Sequence, residues 1–190
     1  MRRWRICLLL ALAIFWAENA VAQFVLFPKS GELASPSGRF VVRNVERDKP
    51  ASEFVGIFHS LWLEDTSTRR TRKLCDYFDV TAVAWSGDDF LLMTEYFGKK
   101  SSRALVFAMA HPDDLVVVDK PTLIRLVPAE LRPTLRQNDH VFIEASRMEG
   151  TTLRLRVWGH GQHDANGFRW RCDYAMAEGS ITCLDQSGSR

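Results

Sequence analysis

The chain has 190 residues, 46% of them hydrophobic, with 25 basic and 23 acidic side chains and a formal net charge of +2. That length holds one domain with a sizeable core. The near balance of charge excludes a general nucleic-acid partner, which needs a basic surface.

Arg2, Arg3 and Arg5 precede the apolar run Ile6–Ala17, and Ala20-Val21-Ala22 is a small-x-small cleavage site. This is the pattern of a secretory signal peptide over residues 1–22, with Gln23 as the mature start. The apolar run is too short to cross a bilayer comfortably, so no membrane span is expected after cleavage. Removing three arginines and Glu18 with this segment leaves 22 basic and 22 acidic residues on a mature chain of 168. The expected location is periplasmic or secreted, where disulfides are permitted.

Short apolar runs then alternate with polar turns. Phe24–Phe27 is a first strand, Ser35-Pro36-Ser37-Gly38 a turn and Phe40–Val42 the strand after it. Glu53–Phe58 is a further strand. Leu61-Trp62-Leu63 runs into Glu64–Thr68, whose Asp, Ser and Thr side chains bond nearby backbone and favour reversal. The chain returns through Thr71, Lys73 and Leu74, a hairpin. Val80–Trp85 is rich in β-branched residues and tryptophan, and Phe90–Thr94 runs back from it. A four-residue turn over Ser86–Asp89 places Trp85 opposite Phe90 and Val83 opposite Leu92. Both strands are almost wholly apolar, so both of their faces should be covered. Ala104–Ala108 and Leu115–Val118 continue the pattern.

The stretches "SPSGRFVVR" at Ser35–Arg43 and "AVAWSGDDFLLMT" at Ala82–Thr94 resemble the blade repeat of TolB-type, WD40-like β-propellers. "LWLEDTSTRRTRKL" is similar to the outer hairpin of such a blade. The resemblance covers about residues 35–118 and implies fold, not activity. A closed propeller needs at least about four blades, and this chain supplies about three hairpin-bearing units, 35–75, 80–118 and 139–185. The expected fold is therefore mainly β, one domain over residues 23–190. Its blade-like antiparallel meander sheets would form an open propeller-like array or a sandwich.

Pro121–Leu135 breaks the strand pattern with apolar residues at helical spacing, and Pro128 can open a short helix at Ala129–Leu131. A short helical insert is expected near 121–135. Strands return at Val141–Ala145, Leu153–Trp158, Phe168–Tyr174 and Ser180–Leu184. Leu153 to Val157 alternate apolar and Arg, which makes one face wet and one dry. Gly159–Gly167 reads as a long polar loop. A Met176–Gly179 loop places Cys172 opposite Cys183 in a close, non-hydrogen-bonded pair suited to a disulfide. Cys75 is then left as a buried free thiol.

Arg69, Arg70, Arg72 and Lys73 form a basic run that either binds an anionic surface or glycan, or is a solvated turn that protects an edge strand. His160 and His163, in the Gly-flanked loop, are further binding candidates. Trp62, Trp85, Trp158 and Trp170 lie within strands and suit core packing. Ala110-His111-Pro112-Asp113-Asp114 resembles the zinc motif of the GlcNAc-deacetylase family. That resemblance implies zinc on His111, Asp114 and His163, with Asp113 as base, although Leu115 stands where the family has Glu. As a plain sequence, His-Pro-Asp-Asp is a hairpin turn.

No nucleophile elbow, phosphate loop or Cys-x-x-Cys is present. The expectation is an exported, non-enzymatic binding or interaction module with no cofactor. It would bind a protein or glycan partner in the envelope. The alternatives are a zinc-dependent hydrolase or deacetylase, and a structural subunit that forms homo-oligomers.

Overall fold

A computed structural model describes residues 22–46, 58–78, 80–161 and 164–186. Most of the expected signal segment, residues 1–21, and most of the expected strand Glu53–Phe58 lie outside them. The chain is mainly β. Its strands are β1 (Val25–Phe27), β2 (Glu32–Ala34), β3 (Phe40–Glu46), β4 (Phe58–Asp65), β5 (Arg70–Phe78), β6 (Thr81–Ser86) and β7 (Phe90–Phe97), then β8 (Ser101–Ala108), β9 (Leu115–Val118), β10 (His140–Glu149), β11 (Thr152–Gly161), β12 (Asp164–Ala175) and β13 (Ser180–Asp185). The helical insert comprises α1 (Lys120–Leu126), a 3-10 turn over Ala129–Leu131 and α2 (Arg132–Gln137).

Backbone pairing makes two sheets. The smaller runs β2-β3-β4-β5; the larger runs β1-β6-β7-β8-β10-β11-β12-β13, with β9 also on β8. The larger sheet is held together at its middle by one parallel pair, Val141 opposite Ser101. Physically it is two meanders, β6–β9 and β10–β13, and the smaller sheet is a third. Side chains rather than a long ladder fix β10 to its neighbour. Ser102 Oγ accepts from Ile143 N at 2.8 Å and donates to Ile143 O at 3.0 Å. Thr94 Oγ1 accepts from Ala145 N at 3.1 Å.

The middle meander is buried on both faces, as its apolar composition requires. Val83, Trp85, Leu91, Met93, Leu105 and Phe107 pack against Phe40, Val42, Leu61 and Leu63 of the smaller sheet. Leu92, Ala104, Val106 and Val118 turn the other way, toward Val141, Ile143, Leu155, Val157 and Trp170 and the helical Leu123 and Leu135. Each Val, Leu, Ile, Met or Phe among them contributes about 1.5–3 kcal/mol by leaving water. The two turns that carry the repeat-like signature meet at the rim, where Ser37 N donates to Asp88 Oδ1 at 3.1 Å. The Ser37 and Ser35 hydroxyls, with that backbone bond, hold the Asp88 carboxyl below its ordinary range.

The insert follows helix chemistry. Asp119 caps α1 by accepting from Thr122 N at 2.9 Å, Pro121 sits in the first turn and Pro128 precedes the 3-10 turn. At the C-terminal hairpin Ala175 faces Ser180, Tyr174 faces Ile181 and Asp173 faces Thr182. Cys172 then meets Cys183 at a Cα separation of 4.1 Å and the two are disulfide-bonded. Leu153, Leu155 and Val157 are buried while Arg154 and Arg156 face out, the expected alternation.

Three expectations are corrected. The β6–β7 loop has three residues, not four, because Ser86 stays in the strand opposite Phe90 and Gly87 makes the turn at φ 64. Trp85 therefore faces Leu91 and Val83 faces Met93. The loop read at Gly159–Gly167 is mostly strand, since β11 runs to Gly161 and β12 begins at Asp164. Gly167, at φ 63, lies so close to Gly159 that a Cβ there would stand 2.2 Å from the Gly159 carbonyl oxygen. The glycines allow a tight irregular pairing rather than a loop. Finally, Trp85 and Trp170 are core residues, but Trp62 is 37% exposed on the outer face of the smaller sheet, between Arg43 and Lys73 in register.

Candidate functional site

In the basic run Arg69, Arg70 and Lys73 are exposed and Arg72 is half-buried, on and just before the strand at the edge of the smaller sheet. Arg69 sits at the tip of the β4–β5 hairpin at φ 56, and Lys73 reaches along the strand to Asp76 at 2.8 Å. Arg70 lies opposite Asp65, which in turn lies opposite the buried Phe40; Arg72 lies opposite the buried Leu63. Both arginines thus extend rows that belong to the inner face of the smaller sheet. The cause is a bulge at Leu74, where Leu61 pairs with Cys75 but Trp62 pairs with Lys73. Arg72 and Cys75 are three residues apart and would take opposite faces of a regular strand. The extra residue puts both inward.

Here the smaller sheet and the β8–β9 turn leave a cleft of about 390 Å³. Arg39, Phe40, Leu63, Asp65, Thr68, Arg70, Thr71, Arg72, Met109 and Pro112 line it. One wall is β3–β5. The other is the β8–β9 turn, the same His111–Asp114 segment singled out in the sequence. The backbone bonds Asp114 N to His111 O at 2.9 Å and His111 N to Ala108 O at 3.1 Å, so the segment is a hairpin turn. Its Asp113 accepts from Arg72 Nη1 at 3.2 Å. Two features read as unrelated in the sequence are therefore joined in one place.

The charges of the cleft are unevenly satisfied. Asp65 Oδ1 accepts from Ser67 Oγ at 2.5 Å, Ser67 N at 2.9 Å and Thr68 N at 3.3 Å. The Ser67 hydroxyl is the main reason the Asp65 carboxyl lies below its ordinary range, and partial desolvation opposes it. Arg39 stands 3.7 Å from Asp65 and lies over the Phe40 ring at 4.7 Å. Arg72 has its Nη1 on Asp113, but its Nε and Nη2 are buried with no hydrogen-bond partner in the structure. Taking a guanidinium edge out of water without a partner is unfavourable, so this edge favours an anion.

The other candidates are not brought here. His160 lies on β11, its ring stacked on His140 of β10 at 4.7 Å, in the β10–β13 meander, and neither histidine lines the cleft. His163 lies outside the described residues. His111 and Asp114 stay on the turn, and among the described residues no three metal-ligating side chains gather. Trp158 stacks on Phe142 at 4.0 Å beside the histidine pair. The sequence marks Arg39 and Met109 only as neighbours of turns and gives no sign that they reach the cleft. Comparison with protein-family models, with curated proteins and with solved structures finds no match to this chain.

Proposed function

We propose that this chain is an exported, non-enzymatic binding module of the cell envelope, periplasmic or secreted. Its blade-like sheets, arranged as an open propeller-like stack, hold a cleft for an anionic group of a protein or glycan partner. The observation that carries the reading is Arg72, whose Nε and Nη2 are buried and unpaired in a cleft that also holds Arg39 and Arg70. The Cys172–Cys183 disulfide is compatible with an oxidising compartment. The test is calorimetric titration of the mature protein with acidic oligosaccharides, beside the double variant Arg70→Gln/Arg72→Gln. Binding that the double variant loses at least tenfold is expected. Equal binding by both proteins sinks the assignment of the cleft. Export is checked by the N-terminus of the processed chain, expected at Gln23; recovery of the leader intact in the membrane fraction refutes it.

A further inference from the structure

Resting on that reading, the geometry points to a carboxylate monoanion as the group the cleft selects. We propose that the Nε–Nη2 edge of Arg72 takes both oxygens of a ligand carboxylate, with Arg70 as the second cation.

The first argument is geometric. A guanidinium offers two kinds of edge, and Asp113 occupies only Nη1. The remaining Nε and Nη2 donors are coplanar and parallel, and that fork matches the two oxygens of a carboxylate. Lysine has the charge but not the fork.

The second argument is charge. Arg39, Arg70 and Arg72 set three positive charges around the cleft, and Asp65 and Asp113 set two negative ones. One net positive charge is left. A carboxylate balances it. A phosphate monoester, at about −1.5 to −2 near neutral pH, leaves excess negative charge against Leu63, Met109 and Pro112. A sulfate ester carries the same charge as a carboxylate, spread over three oxygens of a much weaker base, so each is a poorer acceptor for the Arg72 donors than a carboxylate oxygen is.

The third argument is access. Asp113 is 97% exposed on its turn, so its bridge to Arg72 is screened by water and easily given up. Loosening it frees the guanidinium to settle against a bound ligand, while the Asp113 charge stays on the same turn. Asp113 is thus an internal competitor for Arg72.

The test uses three ligands that share one sugar body: galacturonate, galactose 6-sulfate and galactose 6-phosphate. Each is titrated into the mature protein by calorimetry or by amide NMR of residues 70–72, 109–111 and 113. Galacturonate should bind at least about tenfold tighter than the other two. Arg72→Lys should lose about tenfold and Arg70→Lys no more than about twofold. Asp113→Asn should tighten galacturonate severalfold, a gain that misfolding cannot mimic. Equal or tighter binding of the phosphate or sulfate, or an Arg72→Lys variant that binds as well as the parent, overturns the carboxylate inference and leaves an anion cleft standing. Failure of all three ligands to bind overturns both.

Discussion

At the scale of single residues, Arg72 and Cys75 are a contrast made by one bulge. Both turn inward on β5, one to a cleft and one to the core. Cys75 is half-buried, with its Sγ 3.7 Å from Met93 Sδ. Desolvation, then the negative charges of Glu95 and Asp76, push its thiol up to about 12. A raised thiol value favours the protonated form, so almost no thiolate exists at pH 8, and thiolate is the reactive species. Native protein should therefore react with a thiol reagent at pH 8 at less than about one tenth the rate of the denaturant-unfolded chain. Raising the pH to 9 should accelerate the native reaction only through the small thiolate fraction. Fast native labelling would show that Cys75 is an accessible, activated thiol. None of this inward geometry could be read in "RRTRKLC", because the polar run has no alternation and the bulge at Leu74 leaves no mark in composition.

At the scale of elements, legibility followed the turns. The Cys172–Cys183 pairing was readable because a Met176–Gly179 loop fixes the register of two short strands, and Gly179 takes φ 62 at its end. The β6–β7 register was read one residue off because Ser86 is equally at home in a turn or at a strand end. The Gly159–Gly167 stretch misled for a related reason, since glycine is the usual residue of loops and also of close backbone approach. The cleft was invisible because its two walls, β5 and the β8–β9 turn, lie about forty residues apart and meet only through packing. The disulfide closes a short ring with a sequence separation of 11. Its loss should lower stability by about 3 kcal/mol or less, chiefly through the unfolded chain. Thermal melts of Cys172→Ser/Cys183→Ser beside the parent measure this. Peptide mapping without reduction should recover a Cys172–Cys183 linked peptide, and a link from Cys75 to either would refute the strand pairing.

At the scale of the whole molecule, the question is what makes three meanders one body. The smaller sheet and the middle meander share an apolar layer that includes Leu61, Leu91 and Phe107, and Trp85 Nε1 donates across it to Leu33 O at 3.2 Å. The C-terminal meander is joined differently. It shares an apolar core with the middle strands and the helices, but its first strand is bonded to them largely through Ser102 and Thr94, both buried. Ser102 Oγ satisfies both the N–H and the C=O of Ile143, so its removal leaves two backbone groups in a dry place without partners. A buried unsatisfied group costs about 1–3 kcal/mol. Ser102→Ala should therefore destabilise the protein by about 2 kcal/mol, well above what the loss of one surface hydroxyl does. Because both apolar layers share the middle meander, the loss should appear as an earlier midpoint of a single urea transition with an unchanged slope. Two resolved transitions in the variant, or in the parent, would mean that the C-terminal meander folds by itself and that Ser102 only tethers it. A midpoint unmoved by the substitution would mean that the apolar layer alone fixes β10 in place.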